Sequence, residues 1–163
     1  MPDGGRAVRI VPTDVGHLYD LARVLRPLDR VEIETAGVSV NRALYRAFRN
    51  SILVRTAFVG DDIAAIWGLC VGMRSGVSPL SDLAVPWLHT SDAIERVPVS
   101  FLRIARQQLD EMKRNRCRLE SFVAADYKQA VKLLRKLGFT VEPPAPIGVR
   151  AAPFCRFHMG FDS

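Results

Sequence analysis

The chain has 163 residues and a mass of 18.1 kDa, with 48% hydrophobic and 25% charged residues. That size suits one domain with a proper core, and that balance excludes a disordered chain. Its formal charge of +6, carried mostly by arginine, favours acidic partners: nucleic acid, an acidic protein face or a phosphate-bearing cofactor. No apolar run approaches the roughly 20 residues of a membrane span. The opening MPDGGRAVRI has an acidic residue and no apolar core, so it does not read as a secretory signal. Cys70, Cys117 and Cys155 are widely spaced, odd in number and set among apolar residues, the pattern of free buried thiols. With no CxxC and no His/Cys cluster at ligand spacing, no metal site is expected.

In chain order, Ala7–Val11 reads as a strand in which Val8 and Ile10 alternate with Arg9. Thr13 is the predicted cap of a first helix, whose Val15, Leu18, Leu21 and Leu25 recur at helical spacing until Pro27. Leu28–Glu34 is a short segment dense in charge, and a second amphipathic helix follows over Val40–Arg49 with Ala43, Leu44 and Phe48 inward. Ser51–Val59 and Ile63–Met73 flank Gly60-Asp61-Asp62, a turn sequence that predicts an antiparallel hairpin. Gly76–Asp82 is a predicted loop and Ala84–His89 a fourth strand. Pro98 then opens a long helix to Asn115, with Phe101, Leu102, Ala105, Leu109 and Met112 on one stripe. A fifth strand, Leu119–Ala124, precedes a helix over Asp126–Leu137 closed by Gly138. Strands around Phe139–Glu142 and Phe154–Phe161 flank the loop Pro143–Pro153. Within the last of these, Phe154, Phe157, Met159 and Phe161 are expected inside its own sheet or at a partner interface.

The succession of strand, two helices, three strands, helix, strand, helix and two strands resembles the GNAT superfamily of N-acetyltransferases. The best local match is Tyr127–Phe139, YKQAVKLLRKLGF, in which Ala130, Lys136, Gly138 and Phe139 stand where the family's N-x-x-A-x-x-x-Y-x-K-x-G-F signature has them. The resemblance implies a single α/β (α+β) domain over residues 1–163. Its central sheet is mixed and mostly antiparallel, of about six to seven strands flanked by helices. A narrower likeness is to GNAT-like proteins of tailed phages named after the internal virion protein A, carried by LARVLRPLDRVEIETAG, PWLHTSD, the LGF helix end and PFCRFHMGF. That likeness implies a virion or host-cytoplasm location, virion or assembly proteins as partners, and a structural or assembly role in the internal, head–tail or neck region without efficient acetyltransferase activity. The alternative is an atypical acetyl-CoA-dependent N-acetyltransferase acting on a host or virion amine.

Acetyl transfer in such a fold needs a phosphate cradle, an acid and a base. The family's glycine-bearing R/Q-x-x-G-x-G/A cradle aligns with Ile94–Ser100, IERVPVS, which has no glycine. Val97 and Val99 put branched side chains there, Glu95 adds repulsion, and Arg96, Val99 and Ser100 are the positions left to contact acetyl-CoA if it binds. The family's usual acidic tyrosine falls at Leu134, and Tyr127 is expected as a surface aromatic at the helix start. Candidate bases are Glu120, His89 and Glu32. Glu120 also suits the solvent face of its strand, His89 a half-buried histidine, and Glu32 and Glu34 ion pairs with Arg30 or the arginines of the second helix. His17 and His158 form no triad pattern, and no GxSxG sequence suggests a hydrolase. Lys113, Arg114, Arg116 and Arg118 are a basic run that suits nucleic acid, although cations also complement the end of the long helix.

Overall fold

The computed structural model describes residues 7–71, 83–115, 118–147 and 150–160. The predicted loop Gly76–Asp82, the strand end at Met73, Arg116, Cys117 and Phe161 lie outside them. The first strand, β1 (Val8–Pro12), pairs antiparallel with β2 (Ser51–Val59), and three helices lie between the two in sequence. The first, α1 (Val15–Val24), is capped by Asp14 rather than Thr13. The Asp14 carboxylate accepts the His17 N–H at 3.2 Å while His17 Nδ1 accepts the Asp14 N–H at 3.2 Å. Thr13 instead hydrogen-bonds the Thr56 hydroxyl at 2.7 Å.

Pro27 ends α1 and also opens a helix, α2 (Pro27–Thr35), in the segment whose charge density hid its periodicity. Asp29 and Ile33, four apart, are its buried residues. α3 (Val40–Arg49) buries Val40 and Leu44. β2 then turns through Gly60, at φ +60°, into β3 (Asp62–Cys70), which pairs antiparallel with β4 (Leu83–Thr90). Gly68 on β3 has no room for a side chain. A Cβ there would lie 2.7 Å from the Trp87 ring and 2.8 Å from the Leu53 carbonyl.

A short 3-10 turn, Asp92–Arg96, leads into α4 (Pro98–Asn115), and β5 (Arg118–Ala124) and α5 (Lys128–Lys136) follow. Gly138, at φ +97°, reverses the chain after α5, where its N–H and that of Phe139 bond the Arg135 and Leu134 carbonyls at 3.1 and 3.0 Å. The end of the chain holds three strands rather than two: β6 (Thr140–Val141), β7 (Ala145–Ile147) and β8 (Ala152–Met159). β7 arises within the predicted loop because it pairs with the start of β8.

The sheet is eight-stranded, in the order β1-β2-β3-β4-β5-β8-β6, with β7 beside β8, and mostly antiparallel. Period-two alternation on β3 divides the core. Trp67 and Leu69 join α4, α5 and β8 through Leu109, Met112, Leu134 and Phe157, with Phe139 just beyond α5, whereas Ile66 faces Leu21, Ile33 and Leu44 of the first three helices. Cys70 and Cys155 are buried free thiols, and β8 buries Phe154 and Phe157 in its own sheet. No helix among the described residues is long and apolar enough to cross a membrane.

The parallel pair in this sheet is the feature that positions a site. Among the described residues, β4 and β5 pair at Leu83/Arg118 and Ala84/Leu119. Their carboxyl-terminal halves, Pro86–Thr90 and Ser121–Val123, instead form the walls of a cleft of about 700 Å³. A crevice beyond the carboxyl ends of parallel strands is where α/β sheets bind ligands.

Candidate functional site

Diverging strands lose hydrogen bonds to each other, and their buried backbone groups must find other partners. α2 lies across the open end and supplies them. Asp29 accepts both the backbone N–H and the hydroxyl of Thr90, at the end of β4, each at 3.0 Å. Glu32, one turn on, accepts the N–H of Ala124, at the end of β5, at 3.1 Å. Arg26 precedes the helix. Its N–H bonds the Thr90 carbonyl at 3.0 Å, and its guanidinium reaches Gln129 of α5 at 2.9 Å and Glu95 at 3.2 Å.

The acids that tie the cleft together also face into it. Asp29, Glu32, His89 and Tyr127 all line it. Burial pushes the Glu32 carboxyl up to about 7; the Ala124 N–H opposes that rise and the Asp29 charge adds to it. Burial lowers His89, against a smaller upward pull from Asp29, so the imidazole is held neutral. Its Nδ1 is buried with no hydrogen-bond partner among the described residues. Tyr127 is 7% exposed, and burial followed by the Asp29 charge raises its phenol to about 12. The cluster therefore holds a carboxyl poised near neutrality, a neutral imidazole and a phenol that keeps its proton, gathered round a buried aspartate.

Of the three bases singled out in the sequence, the structure brings His89 and Glu32 into the cleft and leaves Glu120 out. Glu120 is not solvent-facing as its strand pattern suggested. It is 6% exposed and held by Arg156, with Nε–Oε1 and Nη2–Oε2 both at 3.0 Å. Arg156 also meets Glu142 at 2.9 Å, and His158 meets the same carboxylate at 3.1 Å, so this is a structural charge cluster on β8. Glu34 pairs with Arg30 at 3.9 Å as expected, but Glu32 bonds backbone rather than an arginine. Tyr127 is no surface aromatic: the turn before α5 points it into the cleft.

Sequence reasoning missed Asp29. The available signal was Asp29-x-x-Glu32 directly after Pro27, which places both carboxylates on one face of a helix.

The N-terminus of α4 opens onto the same cleft through Glu95, Pro98, Phe101 and Leu102. Val97 does not obstruct it, because its side chain is wholly buried in the core, whereas Val99 is 59% exposed. Arg96 turns back to the β2–β3 hairpin and pairs with Asp62 at 2.6 Å. Ser100 sits in the first turn of α4, half-buried. The cations lining the cleft are instead Arg26, Lys132 and Lys136, the two lysines on α5. Among the described residues no group of His, Cys, Asp and Glu is arranged to hold a metal ion.

No protein-family model matches the sequence, and no curated protein matches it. Solved structures do. An N-acetyltransferase from Staphylococcus aureus Mu50 superposes with a TM-score of 0.68 at 10% identity, over 94% of this chain and 98% of that one. An acetyltransferase of the GNAT family from Streptococcus pneumoniae gives 0.63 at 15% identity, over 94% and 98%. A Bacillus subtilis acetyltransferase in complex with CoA gives 0.62 at 12% identity, over 96% and 99%. Across nearly its whole length, the chain has the fold of the GNAT acetyltransferases.

Proposed function

We propose that the protein is an N-acyltransferase that moves an acyl group from a CoA thioester to a cationic amine in the cleft between β4 and β5, with Glu32 as the proton acceptor. The observation that carries the reading is the Glu32 carboxyl, inside the cleft with its pKa raised to about 7. A base poised near the working pH combines a useful unprotonated fraction with real driving force for proton transfer. Asp29 beside it favours an incoming ammonium group. Neutral His89 lines the same cleft and is the candidate to orient the amine. Tyr127 keeps its proton at neutral pH and is the candidate donor in place of the tyrosine that Leu134 replaces.

The residues present fit a CoA-type thioester through side chains rather than through a glycine cradle. Pro86, Leu88, Phe101 and Leu133 offer apolar walls to its arm, and Lys132 and Lys136 are the groups that would hold its phosphates. When bound, the thioester supplies an activated acyl carbonyl. Glu95 at the mouth opposes the phosphates, but Arg26 already offsets its charge at 3.2 Å. A particle-assembly role for the same fold rests on the sequence resemblance alone, and the chemistry of the cleft favours acyl transfer.

The test is steady-state transfer from acyl-CoA thioesters to a panel of diamines and lysine peptides. Glu32→Gln should lower kcat by about 10²- to 10⁴-fold with thioester binding retained. Full activity in that variant, or no transfer to any amine, would refute the reading.

A further inference from the structure

The cleft does not end at its apolar wall. Behind Leu88, Phe101, Leu134 and Phe157, which line both spaces, a recess of about 120 Å³ runs between the sheet and helices α4 and α5. Its far side is hydrocarbon: Ile104, Leu109, Met112, Leu137 and Phe139. The indole N–H groups of its two lining tryptophans are already matched. Trp67 Nε1 donates to Gln108 Oε1 at 3.1 Å, and Trp87 Nε1 donates to the Ser51 hydroxyl at 2.9 Å. An apolar lining of this kind favours hydrocarbon over polar groups.

Apolar surface left against water forgoes the stabilisation that its burial would bring. A recess that stays open and continues a binding cleft therefore suits the tail of the cleft's own ligand. Leu134 stands on the boundary between the two spaces, at the position where the family pattern has a tyrosine. A hydroxyl there would put a polar group at the entrance, whereas leucine keeps the passage apolar.

We propose that this recess seats the hydrocarbon chain of the transferred group, so that the donor is a short- to medium-chain acyl thioester rather than an acetyl thioester. The inference rests on the acyl-transfer reading and narrows it. An apolar cavity of about 150 Å³ holds a benzene molecule, so the recess takes about four to six carbons beyond the carbonyl. Its occupant is the chain on the donor because the recess opens beside Leu134, whereas the acceptor groups Asp29, Glu32 and His89 do not line it.

The chain carries its own reporters: Trp67 lines the recess and not the cleft, whereas Trp87 lines both. Calorimetric titration with acetyl-, butyryl- and hexanoyl-CoA should show affinity rising with length, by about tenfold or more from acetyl to hexanoyl, as expected when methylenes are buried. 6-Bromohexanoyl-CoA should quench the emission of both tryptophans, and bromoacetyl-CoA should leave that of Trp67 unquenched. Ala105→Phe, which puts a ring into the recess without touching the cleft's acidic cluster, should remove both the length advantage and the quenching while acetyl-CoA binds as before. The bromohexanoyl titration of the unaltered protein stands independently should that variant fold poorly. Equal affinity for all lengths without quenching overturns the inference but leaves acyl transfer standing. Quenching by 6-bromohexylamine and not by the bromoacyl thioester overturns it by assigning the recess to the acceptor. Failure of every thioester to bind overturns both readings.

Discussion

Replacing Glu32 by glutamine separates the ionisation of that carboxyl from its shape and its hydrogen bond. The folded protein raises Glu32 from 4.5 to about 7, chiefly by burial. Between those two values the folded state binds more protons than the unfolded one, so stability falls as pH rises through the interval and levels off above it. Each tenfold change in proton affinity is worth about 1.4 kcal/mol, so the loss amounts to about 3 kcal/mol at most. The amide oxygen of the introduced glutamine can still accept the Ala124 N–H, so the variant should match the parent near pH 4.5, where Glu32 is protonated in the folded protein. By pH 8 it should be the more stable by up to about 3 kcal/mol. Asp29, Arg26, His89 and Tyr127 surround the site and are common to both proteins, so the difference between the two profiles isolates Glu32. Urea unfolding at half-unit pH steps measures it, and for a domain of this size each kcal/mol corresponds to roughly 2–4 °C in Tm. Parallel profiles would mean that Glu32 ionises as it does in water, and the case for it as a base poised near neutrality would collapse.

Two further substitutions test the assignment of roles. Glu120→Gln removes the charge from the two-point pair with Arg156. Unfolding should become easier by about 1–3 kcal/mol with thioester binding in the cleft unchanged, and weakened binding would place Glu120 in the site after all. Gly68→Ala puts a methyl 2.7 Å from the Trp87 ring and 2.8 Å from the Leu53 carbonyl. Overpacking of that kind should cost about 1–3 kcal/mol and shift the tryptophan emission, whereas a silent substitution would show that Trp87 is free to move off the strand.

The frame of the fold was written in features that read locally. Leu18 and Leu21 recur on the buried face of α1 with Leu25 buried at its cap while Val15 stays exposed, Gly60-Asp61 turns a hairpin, Pro98 opens α4 at its first residue, and Gly138 takes a positive φ after α5. The elements that escaped depend on partners far away in sequence. β7 exists because β8 offers Ala152–Phe154 as an edge, and its own Ala145–Ile147 carries no strand signal. α2 was hidden because its inward residue at the first turn is an aspartate. Hydrophobic periodicity cannot see a buried face whose member is Asp29.

That same substitution of a carboxylate for an apolar residue explains why the site was half legible. His89 and Glu32 could be picked out as residue types able to take a proton, but Glu120 looked equivalent, and only the strand divergence distinguishes them. On β5, Glu120 lies opposite His158 of β8, where Arg156 neutralises it. Glu32 lies on a helix that reaches over the place where the sheet parts, and there its partner is a backbone N–H that carries no counter-charge. A buried carboxyl matched by an arginine stays an anion and serves as structure. One matched by a single amide is left with a raised pKa, and the same hydrogen bond that closes the sheet leaves it able to accept a proton. Structural and chemical roles therefore coincide at Glu32, so removing its charge should stabilise the protein at alkaline pH and slow the reaction at the same time.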